Sequence, residues 1–296
     1  MRVGVLWTNL SLRELGRRLI GLGTPASRRV IRRLLRQFKL GRRTARKKKS
    51  MGQHPDRNAQ FENITRLRRE YQVAGDPIIS VDSKKKEMIG NYQRPGHTYT
   101  AQTVETFDHD FPQTGQRKLI PHGIYDLAQQ HAHINLNTSH DTGELCCDSI
   151  ELWWNEHGQA AYPEAKRILV LCDGGGSNSS SQYLFKEDLQ ALANRLGLEI
   201  RVAHYPPYCS KHNPIEHLAF PHITRACQGI IFHTVAIAQE FIARAKTSTG
   251  LRVTVSVLDK VYTTGRKYAA DFKQTMKILF DDHLPKWNYR AIPMTT

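Results

Sequence analysis

The chain has 296 residues, 40% of them hydrophobic, and a formal net charge of +16. That length and apolar share support one large domain, or a small one joined to a medium one, and exclude wholesale disorder. No apolar run approaches the roughly 18 residues of a membrane span, and the start has no cleavable apolar leader. Five scattered cysteines read as reduced thiols, so a cytoplasmic protein is expected.

The charge is localised. Residues 1–50 hold 16 Lys/Arg and a single acid, Glu14, while the remainder has 27 basic and 26 acidic residues. A basic module on a near-neutral body predicts an anchor for nucleic acid or another anionic surface. Residues 11–40 read as two helices around a turn. Ser11 and Glu14 have capping-box spacing, and Leu12, Leu15, Leu19 and Ile20 form a helical stripe. Gly21 and Gly23 end that helix, and Ser27 can cap the next. The second helix turns Val30, Ile31, Leu34 and Leu35 inward and Arg28, Arg29, Arg32, Arg33 and Arg36 outward. This is the pattern of a helix-turn-helix whose second helix enters a DNA major groove. A solvated or membrane-surface basic helix is the alternative.

The stretch beginning GRRTARKKKS reads as a linker. Residues 57–74 form a helix that packs Phe61, Ile64, Leu67 and Tyr71, and Gly75-Asp76-Pro77 breaks it. Ile78–Val81 is a β-branched run ending on Asp82. HTYTAQTV, KLIPHGIYDLA and HAHINLN follow as short strands, with turns at 93–98 and 112–117. Residues 141–157 read as a helix, with one of Trp153 and Trp154, near its end, expected to pack in the core. RILVLCD reads as a buried strand ending on Asp173, 181–196 as an amphipathic helix, and EIRVAHY as a strand. PPYCSKHNPIEHLAF is a loop entering a helix near Asn213. Strands first, then alternating strands and helices, predict an α/β domain with a mixed sheet.

Asp82 and Asp173 each close an apolar run, which places them at strand tips, where α/β sheets carry their functional crevice. Two carboxylates there are costly unless neutralised, and a divalent cation is the usual partner. Glu216 is the third candidate, because Pro214 suits the first turn of a helix and leaves Glu216 free to face the sheet. Three such acids can hold two Mg²⁺ ions around a phosphate. Taken singly, each acid reads better as a cap, a turn or a surface ion pair; the functional reading gains from the set.

The segments ISVDSKKKE, LCDGGGSNSS and HYPPYCSKHNPIEH resemble the three catalytic blocks of DDE transposases of bacterial insertion sequences, the Rhodopirellula-type (ISAzo) group in particular. LWTNLSLREL, QHPDRNAQF, YDLA, HDTGEL, IELWW and TGLRVTV resemble that group's pattern in the same order. The resemblance implies a ribonuclease-H-like catalytic domain over 76–296, after a helix-turn-helix region at 1–50 and a linker with connecting helix at 51–75. It implies Asp82, Asp173 and Glu216 as the triad for two Mg²⁺ or Mn²⁺ ions. The implied partners are the element's terminal inverted repeats, target DNA and further copies of the chain in a synaptic complex. Members of the group usually extend further at the N-terminus, and His212 and Pro214 stand where its close members have other residues.

Around the triad, Lys84, Lys85 and Lys86 are candidates to hold DNA phosphates. Ser177, Asn178, Lys211, His212 and Asn213 are candidates for phosphate contact or support of the metal site. The glycines of LCDGGGSNSS give room for a DNA backbone; the loop lacks the lysine of a nucleotide-binding P-loop. His204, Cys209, His212 and His217 fit no standard zinc spacing. A non-catalytic DNA-binding repressor and a ribonuclease-H-like repair nuclease remain as alternative readings.

Overall fold

The computed structural model describes residues 8–43, 54–108 and 118–294. The expected turn at 112–117, most of the basic linker and the side chain of Ser177 lie outside what is described. The chain divides into two compact units, 1–49 and 50–296.

The first unit contains α1 (Leu12–Gly21) and α2 (Arg28–Gln37). The Ser11 side chain accepts from the Glu14 amide, and the Glu14 carboxylate accepts from the Ser11 amide at 2.8 Å, so two end donors are satisfied reciprocally. Ser27 caps α2 by accepting from Val30 N. Gly23 takes a positive φ of 70° where the chain turns. Ile31 is the buried residue between the helices; Ile20 and Leu34, expected inward, are exposed at 64% and 38%. Two ten-residue helices cover only the middle of each other's apolar stripe. All five α2 arginines named above are exposed.

The second unit is a mixed α/β sheet. In chain order its elements begin with α3 (Arg57–Ala74), β1 (Ile78–Ser83), β2 (Glu87–Met88), β3 (Lys118–Asp126), β4 (His131–Asn137) and α4 (Gly143–Trp153). A π-turn at Trp154–Gly158 and α5 (Gln159–Ala161) follow, then β5 (Arg167–Asp173), α6 (Tyr183–Leu196) and β6 (Glu199–Tyr205). The remainder is α7 (Pro214–Leu218), α8 (Phe220–Ala226), α9 (Val235–Ala243), β7 (Arg252–Val257), α10 (Phe272–Thr275), β8 (Ile278–Phe280) and β9 (Asn288–Ala291).

The strands are ordered β7-β4-β3-β1-β5-β6-β9-β8, with β2 paired to β3. β1, β5 and β6 run parallel, and β3 is antiparallel to both β1 and β4. Residues 97–104, expected as a strand, form none, and Tyr99 and Val104 are exposed. Thr and Tyr favour extended backbone, but a strand also needs a free ladder edge. Neighbouring strands already occupy both sides of β3.

Alternation along the strands sorts the core. On one face Ile79, Val81, Ile168, Val170, Ile200 and Val202 pack with Trp153, Phe185 and Leu189 from α4 and α6. On the other, Ile78, Leu169, Leu171 and Ala203 pack with Ile64, Leu67 and Tyr71 of α3. Each such fully buried side chain contributes on the order of 1.5–3 kcal/mol. Helix α3, grouped with the linker from sequence, is therefore one of the layers covering the sheet. Further along the same face, Ile134 and Leu136 meet Ile215, Phe220 and Ile223 from α7 and α8.

Candidate active site

Residues 78, 80 and 82 share one face of β1, and 169, 171 and 173 the same face of β5, because side chains alternate with period two. Both acids thus stand at the C-terminal ends of adjacent parallel strands, on the side covered by α3 and α7. Glu216 reaches that side from the first turn of α7, where Pro214 opens the helix.

Polar anchors fix α7 against β1. Asn213 is fully buried; its amide nitrogen donates to Val81 O at 3.1 Å, and its oxygen accepts from Ser80 Oγ. Ser80 Oγ in turn accepts from Ile215 N at 3.0 Å. Gly123, opposite Asp82 on β3, completes the fit, because a Cβ there would lie 2.6 Å from Ile215 Cδ1 and 3.0 Å from the Phe220 ring. A side chain at this position would have to displace Ile215 and crowd the Phe220 ring, so glycine favours the close approach of α7 to the sheet.

The acids perturb one another. Asp82 hydrogen-bonds to the Glu216 carboxyl, and its own pKa is pushed up to about 8, first by burial and then by the charges of Asp173 and Glu216. Asp173 is raised to about 6 by burial and by Glu216. Its Oδ1 is buried with no hydrogen-bond partner. Two carboxyl groups in contact hold a proton between them unless a cation displaces it. The three acids do not all bring an oxygen within 4.8 Å of one another, as one shared ion would favour; among the described residues that spacing occurs only at His133, Glu156 and His157. A wider spread suits acids flanking a pair of ions roughly 4 Å apart.

The remaining sequence-predicted residues fall into distinct settings. Lys84 is half-buried and ion-paired to Glu87, whereas Lys85 and Lys86 are exposed. Lys211 is exposed, and His212 meets the edge of Phe61 with ring centroids 5.0 Å apart. Asn178 sits in a 3₁₀ turn after the glycines. Gly174 owes its lack of a side chain to Trp287, which a Cβ would meet at 2.8 Å. The mooted zinc set is dispersed. His204 is buried, with Nδ1 donating to Asp173 O at 3.0 Å and Nε2 accepting from Tyr289 Oη at 2.9 Å. Cys209 Sγ accepts from Arg57 Nε. Trp153 and Trp154 are both in the core, where the sequence reading placed only one of them.

Sequence reasoning missed Asp141, whose Oδ1 accepts from Ser83 Oγ at 2.9 Å beside the end of β1. It also missed His122, which is fully buried, has both ring nitrogens unpartnered and is lowered to about 4 by burial. Asp141 lies in HDTGEL, a segment noted for resemblance alone; no local pattern marks His122.

A family model described as Rhodopirellula transposase DDE domain matches residues 1–293. No curated protein matches the sequence significantly. Among solved structures, the mariner Mos1 paired-end complex with Mg is similar with a TM-score of 0.51 and 15% identity, over 82% of this chain and 69% of that one. The Mos1 transposase paired-end complex with left transposon end gives a TM-score of 0.46 and 14% identity, over 85% and 77% of the two chains. The first of these likenesses supports the fold: a mixed α/β sheet of the kind found in that transposase.

Proposed function

From the premise that the chain belongs to the family of Rhodopirellula-type DDE transposases, and is a metal-dependent DNA transposase, we propose that Asp82, Asp173 and Glu216 are its catalytic triad. The observation that carries this reading is their convergence from β1, β5 and α7, with a buried, unpartnered Asp173 oxygen among them. The donor set is all carboxylate, which suits the hard cations Mg²⁺ and Mn²⁺. When bound, two such ions would supply Lewis-acid stabilisation of the attacking and leaving oxygens of a scissile phosphate.

The protein's own part is positioning. Asp82 touches Glu216 and feels Asp173, so it is the acid placed to serve both ion positions. Ser80 and Asn213 hold the first turn of α7, and with it Glu216, against β1. His204 holds the Asp173 backbone. The reaction is hydrolysis of a DNA phosphodiester by water, then attack of the freed 3′-hydroxyl on a target phosphodiester, with no covalent protein–DNA intermediate. Residues 76–296 act as the ribonuclease-H-like catalytic region. The N-terminal helix pair acts as a helix-turn-helix, with Arg28, Arg29, Arg32, Arg33 and Arg36 holding terminal-repeat phosphates. Lys85, Lys86 and Lys211 form a separate basic surface beside the acids, in a synaptic assembly of more than one copy acting on the nucleoid.

The test is cleavage and joining on DNA carrying the element's ends, with Mg²⁺ or Mn²⁺. Asp82→Asn and Glu216→Gln should each abolish both steps while leaving DNA binding intact. Cleavage without joining would favour the nuclease reading, and binding without either step in the unaltered chain would favour the repressor.

A further inference from the structure

A second cluster of metal-ligating side chains lies on the opposite face of the sheet. Gly123 pairs with Asp82 on one side and Ile134 on the other, so Ile134 shares the face of the acids and His133 faces away. His131 and His133 are two residues apart on β4 and therefore stand on this same opposite face. The π-turn after α4 delivers consecutive residues, Glu156 and His157, to it. Such turns within helices occur frequently at functional sites.

The contacts are short and converge. His157 Nε2 is 3.1 Å from His133 Nδ1 and 3.6 Å from Glu156 Oε2. One donor atom from each of the three residues lies within 4.8 Å of the other two. Two ligands about 2.05 Å from a tetrahedral ion are separated by roughly 3.3 Å, close to the observed nitrogen pair. His133 Nε2 lies 3.2 Å from Asn135 Oδ1, an acceptor that favours the proton on Nε2 and leaves Nδ1 to offer its lone pair to the group. The Thr254 hydroxyl from β7 contacts His131 Nε2, His133 Nδ1 and His157 Nε2 at 2.8–3.2 Å, tying the neighbouring strand to the group.

We infer that His133, Glu156 and His157 form a binding site for one divalent transition-metal ion of the zinc class, distinct from the carboxylate site. Imidazole nitrogens with one carboxylate favour Zn²⁺ over Mg²⁺, which prefers oxygen donors and keeps its waters. His133 is fully buried, while Glu156 and His157 are partly exposed and leave the ion a side open to solvent. Burial lowers the pKa of all three histidines of the cluster, so they are neutral and competent as ligands at pH 7. A bound ion would fasten β4 to the π-turn, two segments that side-chain contacts alone now join.

The experiment uses the full chain, stripped with a chelator and titrated with Zn²⁺ by calorimetry and with Co²⁺ by visible absorption. The expected result is one Zn²⁺ bound through nitrogen, with an intense Co²⁺ band, retained in Asp173→Asn. His157→Ala and Glu156→Gln should weaken Zn²⁺ binding about tenfold or more and remove the band. Because Glu156 is exposed, its substitution leaves the fold intact. Zn²⁺ affinity unchanged in both variants, or lost only in Asp173→Asn, would overturn the site. Neither outcome bears on whether the acids cut DNA.

Discussion

Asp82, Asp173 and Glu216 crowd three acids on one face of the sheet, whereas His131, His133 and His157 crowd three bases on the other, two strands away. Burial drives Asp82 and Asp173, and all three imidazoles, toward their neutral forms, but the consequences differ in sign. The acids repel one another and gain from a cation that replaces their shared proton. The imidazoles are already neutral and offer lone pairs at no electrostatic cost. On the proposed readings, one fold presents a hard oxygen site and a softer site of imidazole nitrogens with one carboxylate, and the donor chemistry of each follows from which face of a strand its residues occupy.

The two sites also differ in how they are held, and this gives the largest expected effect on stability. The acid site depends on close seating of α7, so Gly123→Ala should cost about 1–3 kcal/mol through overpacking against Ile215. It should also depress Mg²⁺-dependent cleavage by moving Glu216, yet leave Zn²⁺ binding unchanged. Thermal melts together with both assays read the separation directly.

A smaller effect is the pH dependence of the metal-free protein. The folded pKa values of Asp82 and Asp173 lie above their unfolded values. Stability from these groups is therefore present at low pH and lost as pH rises, through about 6 for Asp173 and about 8 for Asp82. His131 and His133 behave oppositely. With folded values lowered to about 4, their contribution is present above roughly 6.5 and lost as pH falls toward 4. Melting temperatures in chelator from pH 4 to 9 should show Asp82→Asn flattening the alkaline limb and His131→Gln the acid limb. Identical profiles for both variants and the unaltered chain would break the comparison.

How far the two sites could be read from sequence follows the same division. Asp82 and Asp173 were visible because each ends an apolar strand, and Glu216 because Pro214 marks a helix start. Strands β1, β3, β4, β5 and β6 and helix α3 were legible from run length and periodicity. The short strands β2, β8 and β9 were not, since two to four residues carry no period. The histidine cluster was hidden for a different reason. HAHINLN reads as an ordinary strand, and a regular helix through 141–157 gives no hint that a π-turn rotates Glu156 and His157 toward it. The segment 97–104 carried strand propensity but pairs with no strand.

The smallest expected effect concerns the basic helix pair, which belongs to neither site. Arg28→Ala and Arg32→Ala should each reduce the slope of log affinity for DNA against log salt by about 1, with little change in metal binding at either cluster.

The most direct measurement of the central claim is Mg²⁺-dependent cleavage and strand transfer by Asp173→Asn on DNA with the element's ends, compared with the unaltered chain at equal DNA occupancy. On the proposed assignment, loss of the Asp173 carboxylate should remove several kcal/mol of transition-state stabilisation, about a thousandfold in rate. Cleavage and joining within tenfold of the unaltered chain would contradict the assignment of Asp173, and with it the triad.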